Sequence, residues 1–535
     1  MRVLLMSGLG PAELHETYLE GSLFQPSFDE RAREMLRRAG LPELSLDQFA
    51  FEHAGTRYGL LRPASNTMPP HLTTVTLQSI LESSGHSYDM LGLDGVWTGT
   101  AVPPAGDFDL VLLSTTFIWN PQILDQAIRW ITDNLPGTRI IAGGQYTNLK
   151  YMPAMNHHPE IVAVIRGDSE QSLPMTLDAM EKGAFLGDIP NLVWREDRRI
   201  RINPIEYIDI DGFPSPSVLG NAAIVPYESM RGCPFDCKFC SFPAASPKWR
   251  YKSAEKIRDD WQSYAKLNGA SLMYAMDSTF TIPPTRLRKL LEILPQSDTP
   301  PWDGFSRANT IDSEAVVEKL AAARCRRLYI GFESMNDATL KRMSKRVSAK
   351  QNRKAAELLS DSDVTYSIFF IAGYPGETPE MYQDTLDYLV EEFVGHYYVN
   401  KFSISDENMP LWEDREELKI VATDPTDTLA PWSHIGMDSV EAARLQTETL
   451  DKVRARSETA VMHAWQDDYQ HWLMPQNDRR ANIAVEKCVE RLGMAPVDYP
   501  DLDEGAHAMR TQVDRLRDLG VAVAPESREL CRDAI

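Results

Sequence analysis

Short apolar runs alternate with amphipathic stretches in the first part of the chain, and this alternation predicts a parallel sheet covered by helices. The helical pattern is clearest at residues 72–81 and 122–131, where apolar positions recur every three or four residues. We expect a Rossmann-like (flavodoxin-like) domain at residues 72–203, preceded at 1–71 by one strand and an irregular lead-in. The predicted strands are residues 2–6, 88–91, 109–114, 139–142 and 161–165.

A second alternation of strands and helices follows residues 204–220, a segment rich in Pro, Asp and Gly that we interpret as a linker. Its strand–helix units are too many for a small open sheet, so residues 221–405 are expected to form a partial (β/α)6 barrel with chemistry at the carboxyl ends of the strands. From 406 to 535 the pattern is mainly helical and predicts a substrate or cap region. The predicted strands of the barrel are residues 223–227, 272–276, 304–306, 327–330, 365–371 and 397–403.

Composition restricts the partners more than it restricts the fold. The net charge of -22 at pH 7 disfavours a nucleic-acid partner, because binding to phosphates draws on clustered Lys and Arg. Apolar runs such as residues 161–165 are too short to cross a bilayer, and residues 1–11 lack the pattern of a signal peptide. We therefore expect a cytoplasmic protein that acts without a nucleic-acid or membrane partner.

Three of the six cysteines, Cys233, Cys237 and Cys240, fall within eight consecutive positions directly after a predicted strand. Three thiolates at this spacing can hold three irons of a cubane cluster and leave the fourth iron open to a small ligand. The alternatives are a structural zinc site or cysteines that only pack; zinc would require a fourth Cys or His, and residues 241–250 supply none. The other cysteines, Cys325, Cys488 and Cys531, are interpreted as ordinary thiols.

The cysteine spacing, with Phe239 just before the third cysteine, resembles the signature of the radical S-adenosylmethionine (SAM) superfamily. The segments Gly331-Phe332-Glu333-Ser334 and 373–378 are similar to strand-end motifs of that family. The resemblance implies a radical SAM barrel that holds a 4Fe–4S cluster and SAM. For each single residue a capping or turn role is the alternative. The residues that the resemblance suggests for SAM are Phe239, Asp277, Arg307, Asn309, Glu333 and Gly373.

The first domain resembles the cobalamin-binding domain of cobalamin-dependent radical SAM enzymes, because glycines and hydroxyls stand at successive strand ends. The segment at 94–99 has Val96 where many cobalamin proteins have a cobalt-binding His, so the resemblance implies cobalt without an imidazole ligand. The alternative is that these glycines only form the turns found in any flavodoxin-like sheet, with no cobalamin bound. The residues suggested for cobalamin are Gly10, Pro11, Ser114, Thr115, Thr116, Gly143, Gly144, Gln145, Arg166, Gly167 and Glu170.

Together the two resemblances imply a methyltransferase that moves a methyl group from SAM, via methylcobalamin, to a carbon of a small molecule, as in natural-product biosynthesis. An electron donor such as flavodoxin or ferredoxin would be required. Because the cofactors carry the hard chemistry, no acid–base residue is assigned. Three alternatives stay open: a cobalamin enzyme performing oxidation, ring rearrangement or cyclisation; a radical SAM enzyme without cobalamin; and a non-enzymatic iron–sulfur sensor.

The substrate is not determined by the sequence. Aromatic residues of the C-terminal region, among them Trp412 and Trp432, could line an apolar pocket or pack between helices. His434 could accept a proton near the substrate or be a satisfied core histidine.

Overall fold

The computed structural model describes residues 1–9, 26–41, 71–197, 199–404, 406–425, 427–428, 430–462 and 479–520. Gly10 and Pro11, expected near cobalamin, lie outside these described residues, as does Cys531. In the part of the chain that is described, no helix combines the length and the apolar character needed to cross a membrane.

The first sheet contains seven strands. They are β1 (Arg2–Ser7), β2 (Ser87–Gly92), β3 (Leu110–Ser114), β4 (Arg139–Gly143), β5 (Ile161–Ile165), β6 (Leu192–Glu196) and β7 (Arg199–Ile202). Their order is β2-β1-β3-β4-β5-β6-β7, with the first five parallel and the last two antiparallel. Because the order 2-1-3-4-5 is that of flavodoxin-like sheets, the predicted fold class of this domain is confirmed.

Of the helices described in this half, three end at a left-handed glycine, and one has a side-chain cap at its start. The helices are α1 (Pro26–Arg38), α2 (Leu72–Ser84), α3 (Leu93–Thr98), α4 (Pro121–Asn134), α5 (Gln145–His157) and α6 (Ser172–Lys182). In α4, the Asn120 side chain accepts a hydrogen bond of 2.9 Å from the Ile123 N–H, and Pro121 occupies the first turn. Residues 204–220, which follow this domain, contain no helix or strand.

The second half is built on another parallel sheet of seven strands. The strands of this half are β8 (Ile224–Tyr227), β9 (Met230–Arg231), β10 (Arg250–Tyr251), β11 (Leu272–Ala275), β12 (Trp302–Arg307), β13 (Cys325–Glu333), β14 (Thr365–Ala372), β15 (Gly395–Lys401), β16 (Val421–Ala422), β17 (Trp432–Ser433) and β18 (Ala460–Met462). The large sheet has the order β18-β15-β14-β13-β12-β11-β8, while β9–β10 and β16–β17 are short antiparallel pairs.

Helices follow the strands of the large sheet and continue into the C-terminal region. They are α7 (Phe242–Ala245), α8 (Ala254–Asn268), α9 (Pro284–Ile293), α10 (Glu314–Ala322), α11 (Asp337–Arg342), α12 (Ala349–Ser360), α13 (Pro379–Glu391), α14 (Arg415–Leu418), α15 (Ser439–Arg456), α16 (Arg479–Asp498) and α17 (Leu502–Asp518). Turns of 3₁₀ helix lie at Leu294–Gln296, Ala308–Thr310 and Pro410–Asp414.

The large sheet confirms the predicted partial barrel and adds one strand to it. Six strands were expected, but β18, from the region predicted to be a helical cap, pairs in parallel with β15 through Gly395 and Ala460. β18 has only three residues, too few for a recognisable period of two, so no local pattern predicts it.

The lead-in at residues 1–71 was expected to be irregular apart from its first strand, and this expectation was wrong for α1. Met35 and Leu36 of α1 belong to the same hydrophobic core as Met509 of α17. Arg510 of α17 donates from Nε to the carbonyl oxygen of Ala39 at 3.1 Å. The apolar face of α1 finds its partner at the opposite end of the chain, which a local pattern does not indicate.

Candidate cofactor site

The cysteine loop is closed at its base by the pairing of β9 with β10. Gly232 has a left-handed φ of 75°, and a Cβ on it would lie 2.7 Å from the Lys248 carbonyl oxygen, so glycine is required there. Asp277 fixes the entry to the loop: its Oδ1 accepts hydrogen bonds from the N–H groups of Ser229 at 2.7 Å and Met230 at 2.9 Å. The loop is therefore held in position before any metal binds.

All three cysteines of the loop line one cavity of about 250 Å³, which we call the cysteine cavity. Among the described residues, none that lines it is a fourth Cys or a His. This donor set fits a cubane cluster with one open iron and does not fit a closed zinc site. Burial raises the pKa of the Cys240 thiol to about 11, so its thiolate needs a positive partner such as a metal centre.

Charged side chains form the rim of the cysteine cavity. The Arg307 guanidinium lies 3.9 Å from the centre of the Phe235 ring, and its Nη1 donates to the Cys237 sulfur at 3.7 Å. Glu333 accepts a hydrogen bond of 2.6 Å from Lys345 Nζ, and both side chains are about nine-tenths buried. Lys345 belongs to no motif and was not predicted from the sequence. This rim offers both signs of charge, as the amine and carboxylate of an amino-acid ligand require.

The residues expected near SAM divide into two groups. Phe239, Arg307 and Glu333 line the cysteine cavity, whereas Asp277, Asn309 and Gly373 are absent from its lining. Asp277 is engaged with the backbone of the loop, as described above, and Asn309 is exposed. Gly373, at φ 88°, packs so closely against the C-terminal region that an added Cβ would lie 2.9 Å from the Trp432 ring.

A second cavity, of about 410 Å³, opens at the carboxyl ends of β3, β4 and β5; we call it the sheet-edge cavity. Among the residues suggested for cobalamin, Thr116, Gly143, Gly144, Arg166 and Gly167 line it. Ser114 and Thr115 are buried but do not line it, Gln145 is exposed, and Glu170 points to an arginine described below.

The chemistry of the sheet-edge cavity fits a large cofactor that has a planar base and amide groups. Apolar side chains form its walls, and hydroxyl and amide groups stand at several points around it. The walls include Leu72, Leu77, Leu112, Ile141 and Leu173, and the polar groups include Thr73, Thr76, Thr116 and Asn148. Helix α2, which supplies four of these residues, was not singled out in the sequence because it carries no binding motif.

Gly144 shapes the loop beside the sheet-edge cavity. Its φ is 123°, and a Cβ on it would lie 2.6 Å from the backbone nitrogen of Thr116. Two strand ends therefore approach each other through their backbones at this point. The neighbouring loop is held in turn by Gly167, whose N–H donates to Asn148 Oδ1 at 3.0 Å.

A buried ion network joins the end of β5 to the base of the cysteine loop; it consists of Asp168, Glu170, Glu228, Arg231 and Arg250. Arg231 Nη1 donates to Asp168 at 2.9 Å and to Glu170 at 3.1 Å, and its Nε donates to Glu228 at 3.0 Å. Arg250 Nη1 donates to Asp168 at 2.6 Å. The carboxylates come from both domains, so the network fixes the distance between the two cavities.

Opposing effects determine the charge of Asp168. Burial by itself raises the pKa of this carboxyl, but the hydrogen bond from Arg250 and the charges of Arg231 and Arg250 outweigh burial and lower its pKa. Asp168 is therefore an anion in the folded protein at neutral pH.

One side chain, Phe242, lines both the cysteine cavity and the sheet-edge cavity. It begins α7, two residues after Cys240, and α7 also contacts the first domain through Asn148, whose Nδ2 donates to the Ala245 carbonyl oxygen at 3.3 Å. The two cavities therefore adjoin at the Phe242 side chain.

A second link between the two halves is the cation of Lys150, at a kink in α5, which lies 3.2 Å from a carboxylate oxygen of both Asp406 and Glu407. Lys150 and Asp406 are almost fully buried. The first domain is therefore held to the loop after β15 as well as to the cysteine loop.

His434 is a satisfied core histidine in this structure. Its Nδ1 accepts hydrogen bonds from three backbone N–H groups, including that of Gly376 at 3.2 Å, and its Nε2 lies 3.2 Å from the Gly373 carbonyl oxygen. Burial lowers the pKa of His434 to about 4, so the imidazole is neutral. Trp432 stacks on the His434 ring at 5.3 Å, and thus packs rather than lines a pocket.

Residues 227–389 match the family model described as the Radical SAM superfamily. PH0819, an uncharacterised methyltransferase of Pyrococcus horikoshii, is 28% identical over 262 residues, which make up 46% of this chain and 57% of that protein. The chain spans about half the length of the curated relatives that it matches.

Two solved structures share the fold along nearly the whole chain. OxsB, a cobalamin-dependent SAM radical enzyme with aqua-cobalamin and SAM bound, has a TM-score of 0.55 and 15% identity, covering 98% of this chain and 80% of its own. TsrM of Kitasatospora setae, a radical SAM methyltransferase with cobalamin and a 4Fe–4S cluster bound, has a TM-score of 0.55 and 15% identity, covering 97% and 99%. At this identity the similarity shows the fold.

Proposed function

Since this chain carries a radical SAM domain, which implies a 4Fe–4S cluster and SAM, we propose that it is a cobalamin-dependent radical SAM methyltransferase. Its reaction would transfer a methyl group from SAM to a carbon atom of a small molecule. An electron donor such as flavodoxin or ferredoxin would supply the reducing electron.

The observation that carries this proposal is that Phe242 lines both cavities. A methyl group can be handed between two cofactors and a substrate only if the reacting atoms come into contact, and proximity of this kind lowers a reaction barrier substantially. The buried ion network and the pair of Lys150 with Asp406 hold the two halves at this spacing. The named cofactors of TsrM and OxsB support the same interpretation.

Each cofactor has residues that would hold it. Cys233, Cys237 and Cys240 would ligate the cluster; the rim residues Arg307 and Glu333 would bind the amino-acid part of SAM, and Phe239 would pack beside it. The walls of the sheet-edge cavity would take the planar base of cobalamin, with hydroxyls of α2 beside its amides. When bound, the cluster and SAM supply hydrogen abstraction and cobalamin supplies methyl carriage.

The protein side chains contribute by orienting the ligands and by excluding water. Phe242 and the apolar walls keep water away from the space between the cavities, which protects reactive groups from side reactions. The rim charges are held by contacts within the protein, Glu333 by Lys345 and Arg307 by the Phe235 ring and the Cys237 sulfur, so they are oriented before a ligand arrives.

The first experiment is anaerobic reconstitution with iron, sulfide and hydroxocobalamin, followed by measurement of iron and cobalt. We expect about four irons per chain, the content of one 4Fe–4S cluster, together with cobalt. Cys237→Ala should lose the iron, whereas Cys325→Ala, at a buried cysteine away from the loop, should retain it. Thr76→Trp, which fills the sheet-edge cavity, should lose cobalt but keep iron, and Gln78→Trp on the same helix should keep both.

The reaction itself is tested with SAM that carries a deuterated methyl group. A product whose mass increases by that labelled methyl supports methyl transfer. Bound cobalt with a product lacking the label would replace methyl transfer by oxidation, rearrangement or cyclisation, and iron without cobalt would overturn the cobalamin assignment.

A further inference from the structure

Five aromatic side chains form a continuous layer on one face of the large sheet, one from each of five adjacent strands. They are Tyr274, Phe305, Tyr329, Phe369 and Tyr398, on β11 to β15 in that order. Neighbouring ring centres are 5.2 Å apart for Phe305 and Tyr329, 6.2 Å for Tyr329 and Phe369, and 5.8 Å for Phe369 and Tyr398. Tyr274 lies 5.7 Å from Tyr329. We call this layer the aromatic floor.

Apart from Tyr329, which is buried, the rings of the aromatic floor lie outside the hydrophobic core. Residues that alternate with these rings on the same strands, such as Ile330 and Phe370, are buried in the core beneath the helices, because successive side chains of a strand point to opposite faces. Among the described residues, no member of the floor belongs to a core cluster. Four of its five rings are only partly buried, all except Tyr329.

The floor continues the cysteine cavity. Phe305, Tyr329 and Phe369 line that cavity together with the three cysteines, whereas Tyr274 and Tyr398 lie at the two ends of the floor and do not line it. The rim residues Arg307 and Glu333 stand two positions after Phe305 on β12 and four positions after Tyr329 on β13. Glu333 is paired with Lys345, and Arg307 donates to the Cys237 sulfur. A molecule on the floor therefore meets rings and phenol groups, with charged groups at one edge.

We propose that the aromatic floor binds a planar, conjugated ring system of the substrate, with any charged group of the substrate outside the ring. This inference rests on the proposed function, since it deepens the same site. Rings stack favourably in offset arrangements when their centres lie about 4.5–7 Å apart, which is also the spacing within the floor. A puckered saturated ring of the same carbon skeleton would touch fewer atoms of such a surface.

The adenine of SAM is also planar and could occupy the central rings. The two end rings distinguish adenine from the substrate, because Tyr274 and Tyr398 do not line the cysteine cavity, where SAM would bind. If the floor serves the substrate, changing an end ring weakens substrate binding and leaves SAM binding unchanged. If it serves only adenine, changing an end ring affects neither.

The test uses two probes of matched skeleton, naphthalene-2-methanol and decahydronaphthalene-2-methanol, with the full chain loaded with cluster, SAM and cobalamin. Equilibrium dialysis should give planar-probe binding at least tenfold tighter than that of the saturated probe. In at least one of Tyr274→Leu and Tyr398→Leu the planar probe should bind about tenfold more weakly, equivalent to about 1.4 kcal/mol, because a two-ring probe reaches only one end of the floor. SAM affinity and iron and cobalt contents should stay within about twofold of the wild type, and Tyr398→Phe should retain planar-probe binding.

Equal binding of the two probes, or no effect of either Leu variant, would overturn the aromatic floor as a substrate site. A parallel loss of SAM and planar probe in the Leu variants would do the same, because the end rings would then support the whole site and not substrate binding in particular. If a Leu variant fails to fold, the other end of the floor and the probe comparison in the wild type still decide the question. Failure of the proposed function is distinct: it appears as missing cobalt or an unlabelled product, whatever the probes do.

Discussion

Replacing Asp168 by Asn removes one negative charge from the buried ion network while keeping the size of the side chain. The Asp168 side chain is 3% exposed, and its two partners Arg231 and Arg250 are 17% and 11% exposed. After the change Arg231 still contacts Glu170 and Glu228. Arg250 keeps hydrogen bonds to the carbonyl oxygens of Ile208 at 3.0 Å and Lys248 at 3.4 Å, but these are neutral acceptors. A buried cation is left without its carboxylate.

Removing one partner of a buried ion pair costs about 3–5 kcal/mol. We expect about 3 kcal/mol for Asp168→Asn, at the low end of that range, because Arg231 keeps two carboxylates. For a domain of this size each kcal/mol lowers Tm by about 2–4 °C, so Tm should fall by about 6–12 °C. Since the folded-state pKa of Asp168 is lowered, the stabilisation is present at neutral pH and is lost as the pH falls toward and below the unfolded value.

The assay is differential scanning calorimetry of the wild type beside two controls. Asp89→Asn breaks the ion pair between Asp89 and Arg2. Both side chains are 41% exposed, so the change should lower the free energy of unfolding by less than about 1 kcal/mol. The double variant Asp168→Asn with Arg250→Met should recover part of the loss, because both buried charges are then gone. If Asp168→Asn and Asp89→Asn have the same Tm, the network does not hold the two domains together, and the argument from burial is refuted.

Three further predictions concern other parts of the structure. Burial raises the pKa of Glu377 to about 8, so between about pH 5 and pH 8 the folded protein retains a proton that the unfolded chain releases. Tm of the wild type should therefore fall as the pH rises through this range, and Tm of Glu377→Gln should not. The same pH dependence of Tm in both proteins would contradict the assignment. Gly144→Ala should reduce cobalt binding and stability more than Gly137→Ala, because both have positive φ but only the first Cβ meets backbone; equal effects would refute the close approach. Lys150→Met should cost about 3 kcal/mol in urea unfolding by leaving Asp406 buried without its cation, and adding Asp406→Asn should restore part of it.

The local sequence was sufficient for the strand ends and the cysteine loop. Cys233, Cys237 and Cys240 lie within one loop, so the short stretch of chain between them already brings their thiols together. Gly143, Gly144 and Gly167 directly follow predicted strands, and parallel strands end at the same edge of a sheet. These features depend on periodicity and turn chemistry, which act over a few residues.

The tertiary structure decided which side chains meet across long distances in the chain. Glu170 stands beside the strand-end glycines in sequence, yet it contacts Arg231 of the other domain. Asp277 follows a strand, close to its predicted place, but its carboxylate holds the backbone of Ser229. Sequence spacing fixes where such a residue lies on its own element; the packing of distant surfaces fixes what it faces.

The same distinction separates the recognised motif from the arrangement around it. The sequence by itself determined two α/β units and a loop that can ligate iron. Only the folded chain placed Phe242 between two cavities, aligned five aromatic rings on adjacent strands and joined α1 to α17. The physical reason is that strand order, register and helix packing are set by the burial of surfaces from remote segments, and no local pattern carries that information.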